Sequence, residues 1–193
     1  MDHIKTLVKQ GGFLKLAENE KDDAVWKSYI FDTLPSGDNL LQWGKATSDK
    51  CKACTGRKTT CHIRNKCPVY LEQGRYTWRH NNVINYILNC LDNDKFESYS
   101  DLDGHTTGTG GTIPVTVCVT PLKPDVTIID KKKNTFNIFE LNCPMEPTIK
   151  KRNSEKFRKY SHFMTDITCY TPTLTCFEIG SRGYVSPENH ARL

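Results

Sequence analysis

No apolar run in this 193-residue chain approaches the length of a membrane span, and its first residues carry no secretory h-region, so no membrane partner is expected. No internal repeat is present, which argues against a repeat array. Hydrophobic residues are scarce at 37%, and mean hydropathy is −0.58; that is polar for a globular domain but not polar enough to predict disorder. An even cysteine count is also missing. Nine cysteines argue against a closed disulfide framework. Four of them crowd into residues 51–67 and the rest lie singly in apolar contexts, which fits a reducing compartment and one metal site. Acidic excess is absent too: 27 Lys and Arg against 22 Asp and Glu leave +5, a balance that suits a polyanion partner but is common among other proteins. The length allows one solid domain with a small appendage.

Residues 1–34 read as helical, with Leu14, Ala17, Val25, Tyr29 and Ile30 as packing positions, until "LPSGDN" breaks the pattern. A strong helix is expected from Tyr76 to Leu91, burying Val83, Ile84, Ile87, Leu88 and Leu91. "GHTTGTGGT" at 104–112 has no periodicity and reads as a mobile loop, and "PVTVCVT" after it reads as a strand. A hairpin within residues 123–144, a basic helix from about Thr148 to Ile167 and a strand at "LTCFEIG" complete the order. Helix, strand, strand, strand, helix, strand predicts an α/β layer fold with a mixed sheet.

"CKACTGRKTTCHIRNKC" spaces Cys51-x2-Cys54-x7-His62-x4-Cys67. Thiolates two residues apart fit one side of tetrahedral zinc, and a His and Cys five apart can close the other. The expected ligands are Cys51, Cys54, His62 and Cys67; Cys61 adjoins His62, so a Cys51, Cys54, Cys61, Cys67 set is conceivable as the alternative. So short a segment has no core of its own, and a metal would hold it together. Lys52, Arg57, Lys58, Arg64 and Lys66 surround it; they could meet phosphates or be an ordinary solvated surface.

"KPDVTIIDKKKNTFNIFELNCP" at 123–144 places one acid on each arm of an otherwise apolar hairpin. With a two-residue turn or a four-residue "KKKN" loop, Asp125 faces Glu140. Opposed residues of an antiparallel pair share a face with Cβ atoms about 5 Å apart. Two like charges there make sense around a cation, and oxygen ligands suit Mg²⁺; the alternative is two solvated edge acids. On the following helix, Ile149, Phe157, Tyr160, Phe163, Met164 and Ile167 form one apolar arc, and Lys156 falls inside it. A lysine there either meets an anion or snorkels to the rim. Arg152 and Lys159 lie at the arc's edge, with Lys159 turned about 60° away toward Asp166 and Arg152.

Two acids on a hairpin and a lysine resemble the PD-(D/E)xK nucleases. The ordered set "CxxC…H…C", "YTWRHNNVINYI", "KPDV…FELNCP", "KFRKY" and "FEIGSRGYV" resembles, from about Leu34 to Leu193, the restriction-like endonuclease domain of non-LTR retrotransposon polyproteins. That resemblance implies a restriction-endonuclease-like mixed sheet flanked by helices, with an N-terminal helical segment (1–45), a CCHC zinc knuckle (46–75) and the nuclease domain (76–193). It implies catalysis by Asp125, Glu140 and Lys156, with Lys159 and Tyr160 in the same run. Zn would sit on Cys51, Cys54, His62 and Cys67, and Mg or Mn on Asp125 and Glu140. Arg79, His80 and Asn81, with Arg152 and Lys159, would contact DNA. The implied partners are double-stranded target DNA, the retrotransposon's RNA and its reverse transcriptase domain, in the nucleus. The usual lysine position two after Glu140 is Asn142, so the lysine must come from the helix. No polymerase acidic motif is present; the chain could cut but not copy. From the residues alone, His80 reads as a core or capping histidine, Arg79 as able to reach a phosphate bidentately, and Glu178 as a strand acid beside a base. The alternatives are a non-cleaving DNA-binding module on a degenerate nuclease fold, or a nuclease selective for branched DNA.

Overall fold

The computed structural model describes residues 33–181 and 183–185, together with Ser28 and Asn189. The expected helical segment over 1–34 lies almost wholly outside the described residues. The fold is mixed α/β: a four-stranded mixed sheet with helices on its faces. A short helix α1 (Gly37–Gln42) leads to the cysteine segment, which closes in a single π-turn (His62–Lys66). Helix α2 (Pro68–Glu72) and helix α3 (Arg75–Asn89) follow, separated by Gly74 in the left-handed region. The strands are β1 (Glu97–Ser100), β2 (Val126–Asp130), β3 (Thr135–Asn142) and β4 (Thr171–Glu178), with α4 (Ile149–Ser161) crossing between β3 and β4. Spatial order is β1-β2-β3-β4; the first two pairings are antiparallel and β3·β4 is parallel. A parallel pair needs such a crossover, and here it is a helix.

Alternation along the strands splits the core in two. Val126, Phe139, Leu141 and Phe177 face α3 through Ile84 and Leu88. Ile129, Phe136 and Ile138 face the other way, onto Tyr160, Phe163 and Ile167. Successive residues point to opposite faces, so Glu140 belongs with Phe136 and Ile138, on the α4 side. The hairpin pairs Val126 with Phe139 and Asp130 with Thr135 across the four-residue loop 131–134. Buried Asp130 shapes that loop by accepting from the N–H groups of Lys132 and Lys133, and Asn134 takes φ 54° at its end. Continued by one residue, the register sets Asp125 opposite Glu140, as expected.

Three expectations fail here. "PVTVCVT" is not a strand: Val117 and Cys118 turn back onto the Pro114 carbonyl. β2 already has neighbours on both sides, and the segment instead lays Ile113, Val117, Cys118 and Leu122 over the α4-side core. The third antiparallel strand is β1, a four-residue edge strand too short to advertise itself. The basic helix stops at Ser161, and Phe163 to Asp166 wind as a separate 3₁₀ turn. Phe157 does not join the buried arc; it is 54% exposed, while Ile149 and Tyr160 are buried. The Gly/Thr loop closes onto the sheet, where the Thr127 hydroxyl donates to the carbonyl of fully buried Thr112.

Candidate active site and metal cluster

The ends of β2 and β3 bring the two hairpin acids together. Glu140 has no solvent exposure, and its Oε1 accepts from the Asp125 N–H at 3.2 Å. Asp125 Oδ2 accepts in turn from the Leu141 N–H at 2.8 Å. Both acids are therefore cross-tied by backbone donors at the point where the β2–β3 ladder ends. Extended residues send their N–H and C=O to the same side. The Leu141 carbonyl accordingly faces this same edge, while the Asn142 carbonyl accepts from Ile179 on the β4 side.

Lys156 of α4 closes the site from above. Its Nζ donates to Glu140 Oε2 and lies 3.8 Å from Asp125 Oδ2. His80 of α3 closes it from the other helix layer, with Nε2 3.2 Å from Asp125 Oδ2 and Nδ1 3.2 Å from Asn81 Oδ1. The charges explain one another. Burial and then the neighbouring Asp125 push the Glu140 carboxyl above its usual range. Burial pushes Asp125 the same way, but His80 and Lys156 outweigh it and hold its carboxyl down. Burial works against the charge of His80 and of Lys156, and the acids more than reverse it in both. The result is a compensated square of two acids and two bases, the arrangement buried charge requires. The Tyr160 hydroxyl donates to the Lys123 carbonyl and is pushed far above its usual range by burial and Glu140.

His80 and Lys156, the two groups that cover the acids, line a cleft of about 350 Å³ together with Arg79, Asn142 and Arg152 among others; neither Asp125 nor Glu140 is part of its wall. Asn142 Nδ2 is buried in the cleft wall with no hydrogen-bond partner among the described residues. Arg79 departs from its expectation, because its guanidinium donates to the carbonyls of Arg64 and Cys143 and to Asn65 Oδ1. It binds the cysteine segment to the end of β3 instead of standing free. Arg152 pairs with Glu155 one turn on. Lys159 turns its Nζ onto the Tyr160 hydroxyl at 2.9 Å and over that ring, not toward Asp166 and Arg152. Glu178 is corrected as well: its carboxylate accepts from the amides of Asn153 and Asn189, and no base pairs with it among the described residues.

The second cluster is Cys51, Cys54, His62 and Cys67, whose ligand atoms all lie within 4.8 Å of one another. It can bind a metal such as zinc. The Cys54–Cys67 sulfur separation is 3.8 Å, against about 3.8 Å for the edge of a tetrahedron with zinc–sulfur bonds near 2.3 Å. Cys61 stands outside the set, which resolves the ambiguity left by spacing. The local chain builds this geometry in steps. Lys50 and Arg57 bridge a tight knuckle, and the Cys51 N–H donates to the Gly56 carbonyl. A side chain at Gly56 would put Cβ 2.7 Å from His62 Cε1, so only glycine lets the imidazole swing in. Thr59 Oγ1 accepts from the His62 N–H and starts the π-turn. Tyr76 ends the construction from α3: its hydroxyl accepts from the Cys67 N–H and donates to the carbonyls of His62 and Ile63. Burial raises Cys51, but the Ala53 and Cys54 N–H groups and His62 bring its thiol down to about 6. Cys54 is held up despite the Gly56 N–H, by burial and by competition with Cys67 and Cys51. Thiols that compete for one proton site are what a cation relieves.

Compared with known proteins, the chain matches no family model and no curated protein.

Proposed function

We propose that the chain is a metal-dependent DNA endonuclease with PD-(D/E)xK chemistry. On its motif order we assign it to the restriction-like domain of a non-LTR retrotransposon. It nicks chromosomal DNA in the nucleus, and the freed 3′-hydroxyl primes copying of the retrotransposon's RNA by the reverse transcriptase domain. Zinc on the cysteine cluster is structural in this reading. One observation carries it: Asp125 and Glu140 share a face at the sheet's end, and a lysine from the crossover helix reaches both beneath an open, basic cleft.

The donor set fits a hard divalent cation. Two carboxylates meet at one edge, the side to which the Leu141 carbonyl also points, and Lys156 and His80 hold their oxygens and would share or yield them to the ion. Asp125, Glu140 and that carbonyl would hold Mg²⁺ or Mn²⁺. When bound, the ion polarises the scissile phosphate and lowers the pKa of an attacking water. His80 fixes Asp125 through its Nε2 hydrogen bond. Lys156, released from Glu140, donates to the phosphate oxygen that gains charge as water attacks phosphorus. The bond from phosphorus to the 3′ oxygen breaks, and that oxygen takes up a proton. A 5′-phosphate and a 3′-hydroxyl result.

The test is nicking of supercoiled plasmid by purified zinc-loaded protein. Open-circle product should form with Mg²⁺ and not with EDTA. Asp125→Ala should abolish nicking while DNA binding survives, because affinity comes from Lys and Arg contacts with phosphates. Cutting by Asp125→Ala at the wild-type rate would sink the reading.

A further inference from the structure

The helix that delivers His80 also carries an aromatic residue the chemistry does not use. Trp78 is 71% exposed, in a chain where large apolar side chains exposed this far are few among the described residues. It borders a second groove, of about 540 Å³, between the π-turn, α2 and the start of α3. Gly74, in the left-handed region at the head of α3, turns α2 against α3, and nothing lies within 4 Å of where its Cβ would be. The groove is lined by Arg64, Tyr70, Arg75, Tyr76, Trp78 and Arg79 among others, and no carboxylate lines it among the described residues. The Arg75 guanidinium lies 4.1 Å from the Tyr70 ring centroid, and its Nε donates to Gln73 Oε1 at 3.0 Å. Arg64 and Arg79 are anchored by carbonyls, so their charge is fixed at the groove wall.

The charge distribution says what kind of partner this is. Residues 51–91 hold seven Lys and Arg and a single acid, Glu72. The whole chain carries five more bases than acids, so everything outside that segment carries one more acid than base. All of the excess positive charge is concentrated on the module that bears the groove. Flat rings interleaved with guanidinium groups in a basic trough are the equipment of single-strand binding, in which bases stack and phosphates track the cations. Duplex DNA cannot use it, because its bases are already stacked on one another.

We propose that this groove holds an unpaired DNA strand, with one base stacked on Trp78 and the adjoining phosphate on Arg75. The groove shares Tyr76 and Arg79 with the carboxylate cleft, so a strand leaving the cleft passes directly into it. The inference rests on the endonuclease reading for the choice of DNA, and it makes the substrate a duplex opened beside the cut.

The experiment is fluorescence anisotropy with labelled oligo(dT), oligo(rU) and a duplex of the same length. It uses the full zinc-loaded chain, with no Mg²⁺ present so that nothing is cut. Trp78→Ala should weaken oligo(dT) binding about 10-fold or more, the worth of one stacked base, and move duplex affinity less than about twofold. Trp78→Phe should recover most of the loss, because a ring remains. Arg75→Ala should flatten the dependence of log affinity on log salt by about 0.7, one phosphate contact on a single strand. Equal loss for duplex and single strand, or no loss at all, overturns the proposal. Tighter binding of oligo(rU) than oligo(dT) overturns the choice of DNA. None of these readouts needs chemistry, so a protein that fails to nick but shows the Trp78 effect loses the nuclease reading and keeps the groove.

Discussion

The two clusters solve opposite problems. In the cysteine cluster every candidate ligand has another candidate ligand beside it, and no fixed cation is among its ligand atoms: Cys54 competes with Cys51 and Cys67, and His62 Nε2 sits 3.1 Å from Cys54. In the carboxylate centre the protein brings its own bases, Lys156 and His80, to two acids. The first is a local construction over 17 residues, with only Cys51 and Cys67 buried among its ligands. The second is assembled from three distant segments on a sheet with a core on each face. On the proposed function, the first cluster would depend on a metal for its fold, whereas the second, already balanced by protein groups, would need one only for catalysis.

The largest effect expected from that difference comes from metal removal. Structural zinc in such modules carries about 10–16 kcal/mol of binding free energy that is also folding free energy. Cys67→Ser, or a zinc-selective chelator, should release the metal and unfold the 51–72 region. Tyr76, Arg64 and Arg79 couple that region to α3, β3 and the chain after β4, so the loss should spread into the melting curve of the sheet. Withholding Mg²⁺ should stop nicking and leave the melting temperature unchanged. Elemental analysis with thermal unfolding checks both, and a Cys67→Ser protein that melts like wild type would break the comparison.

Next in size is the lysine. Lys156→Ala leaves buried Glu140 facing Asp125 with one cation fewer. Breaking a buried pair costs ~3–5 kcal/mol, and the partial exposure of Lys156 places this at or below the lower end. Adding Glu140→Gln should return much of that loss, because the uncompensated charge goes with it. The chemical step should fall on the order of 100-fold, as for one lost transition-state donor. Lys159→Ala, which loses its contacts with the Tyr160 hydroxyl and ring, should spare the step. Urea unfolding and single-turnover nicking of the four proteins separate these effects. A Lys159→Ala protein that loses the chemical step while Lys156→Ala keeps it would reverse the assignment.

How much of this was legible beforehand follows from the range of each interaction. The cysteine spacing exposed the metal cluster because its geometry is local, and the choice between Cys61 and His62 needed only the backbone turn that Gly56 permits. The hairpin register was readable because loop length and alternation fix it together. The helical wheel found Lys156 but misplaced Phe157 and ran past Ser161, because it assumes an unbroken helix. The strand pattern of "PVTVCVT" misled for another reason: alternation reports a half-buried segment, and a loop packed over a core has the same signature. The contact of His80 with Asp125 could not be read from the residues alone, since α3 and β3 meet only in the folded sheet. Glu178 was misread because two distant amides, not a base, satisfy it.

A smaller effect should come from Gly56→Ala, which tests how local the first cluster is. The new methyl would lie 2.7 Å from His62 Cε1, and the imidazole is itself a ligand that cannot swing away. Displacing a ligand's supporting shell costs about 10–100-fold in metal affinity. Chelator competition should show that loss, while nicking by protein kept zinc-saturated stays near wild type. Unchanged affinity would mean that the knuckle relaxes and that His62 is dispensable.

The smallest effect comes from a pair chemically identical to Lys156–Glu140 but set in solvent. Lys131 Nζ lies 2.8 Å from Glu97 Oε2, tying the hairpin loop to edge strand β1. Lys131 first, then the Tyr99 hydroxyl, hold the Glu97 carboxyl below its usual range against modest burial. Tyr99 itself is pushed up to about 12 by burial and Glu97. A depressed carboxyl contributes stability that is present above its unfolded value of about 4.5 and is lost as pH falls through its folded value. Any gap between wild type and Lys131→Ala in urea should therefore be open at neutral pH, narrow as pH falls below the unfolded value and vanish once it has passed through the folded one, and shrink in high salt. It should stay far below the Lys156→Ala gap, because exposed pairs gain little after solvation and side-chain entropy are counted. If the two lysines cost the same, burial is not what distinguishes the carboxylate centre, and its compensated square is ordinary surface pairing.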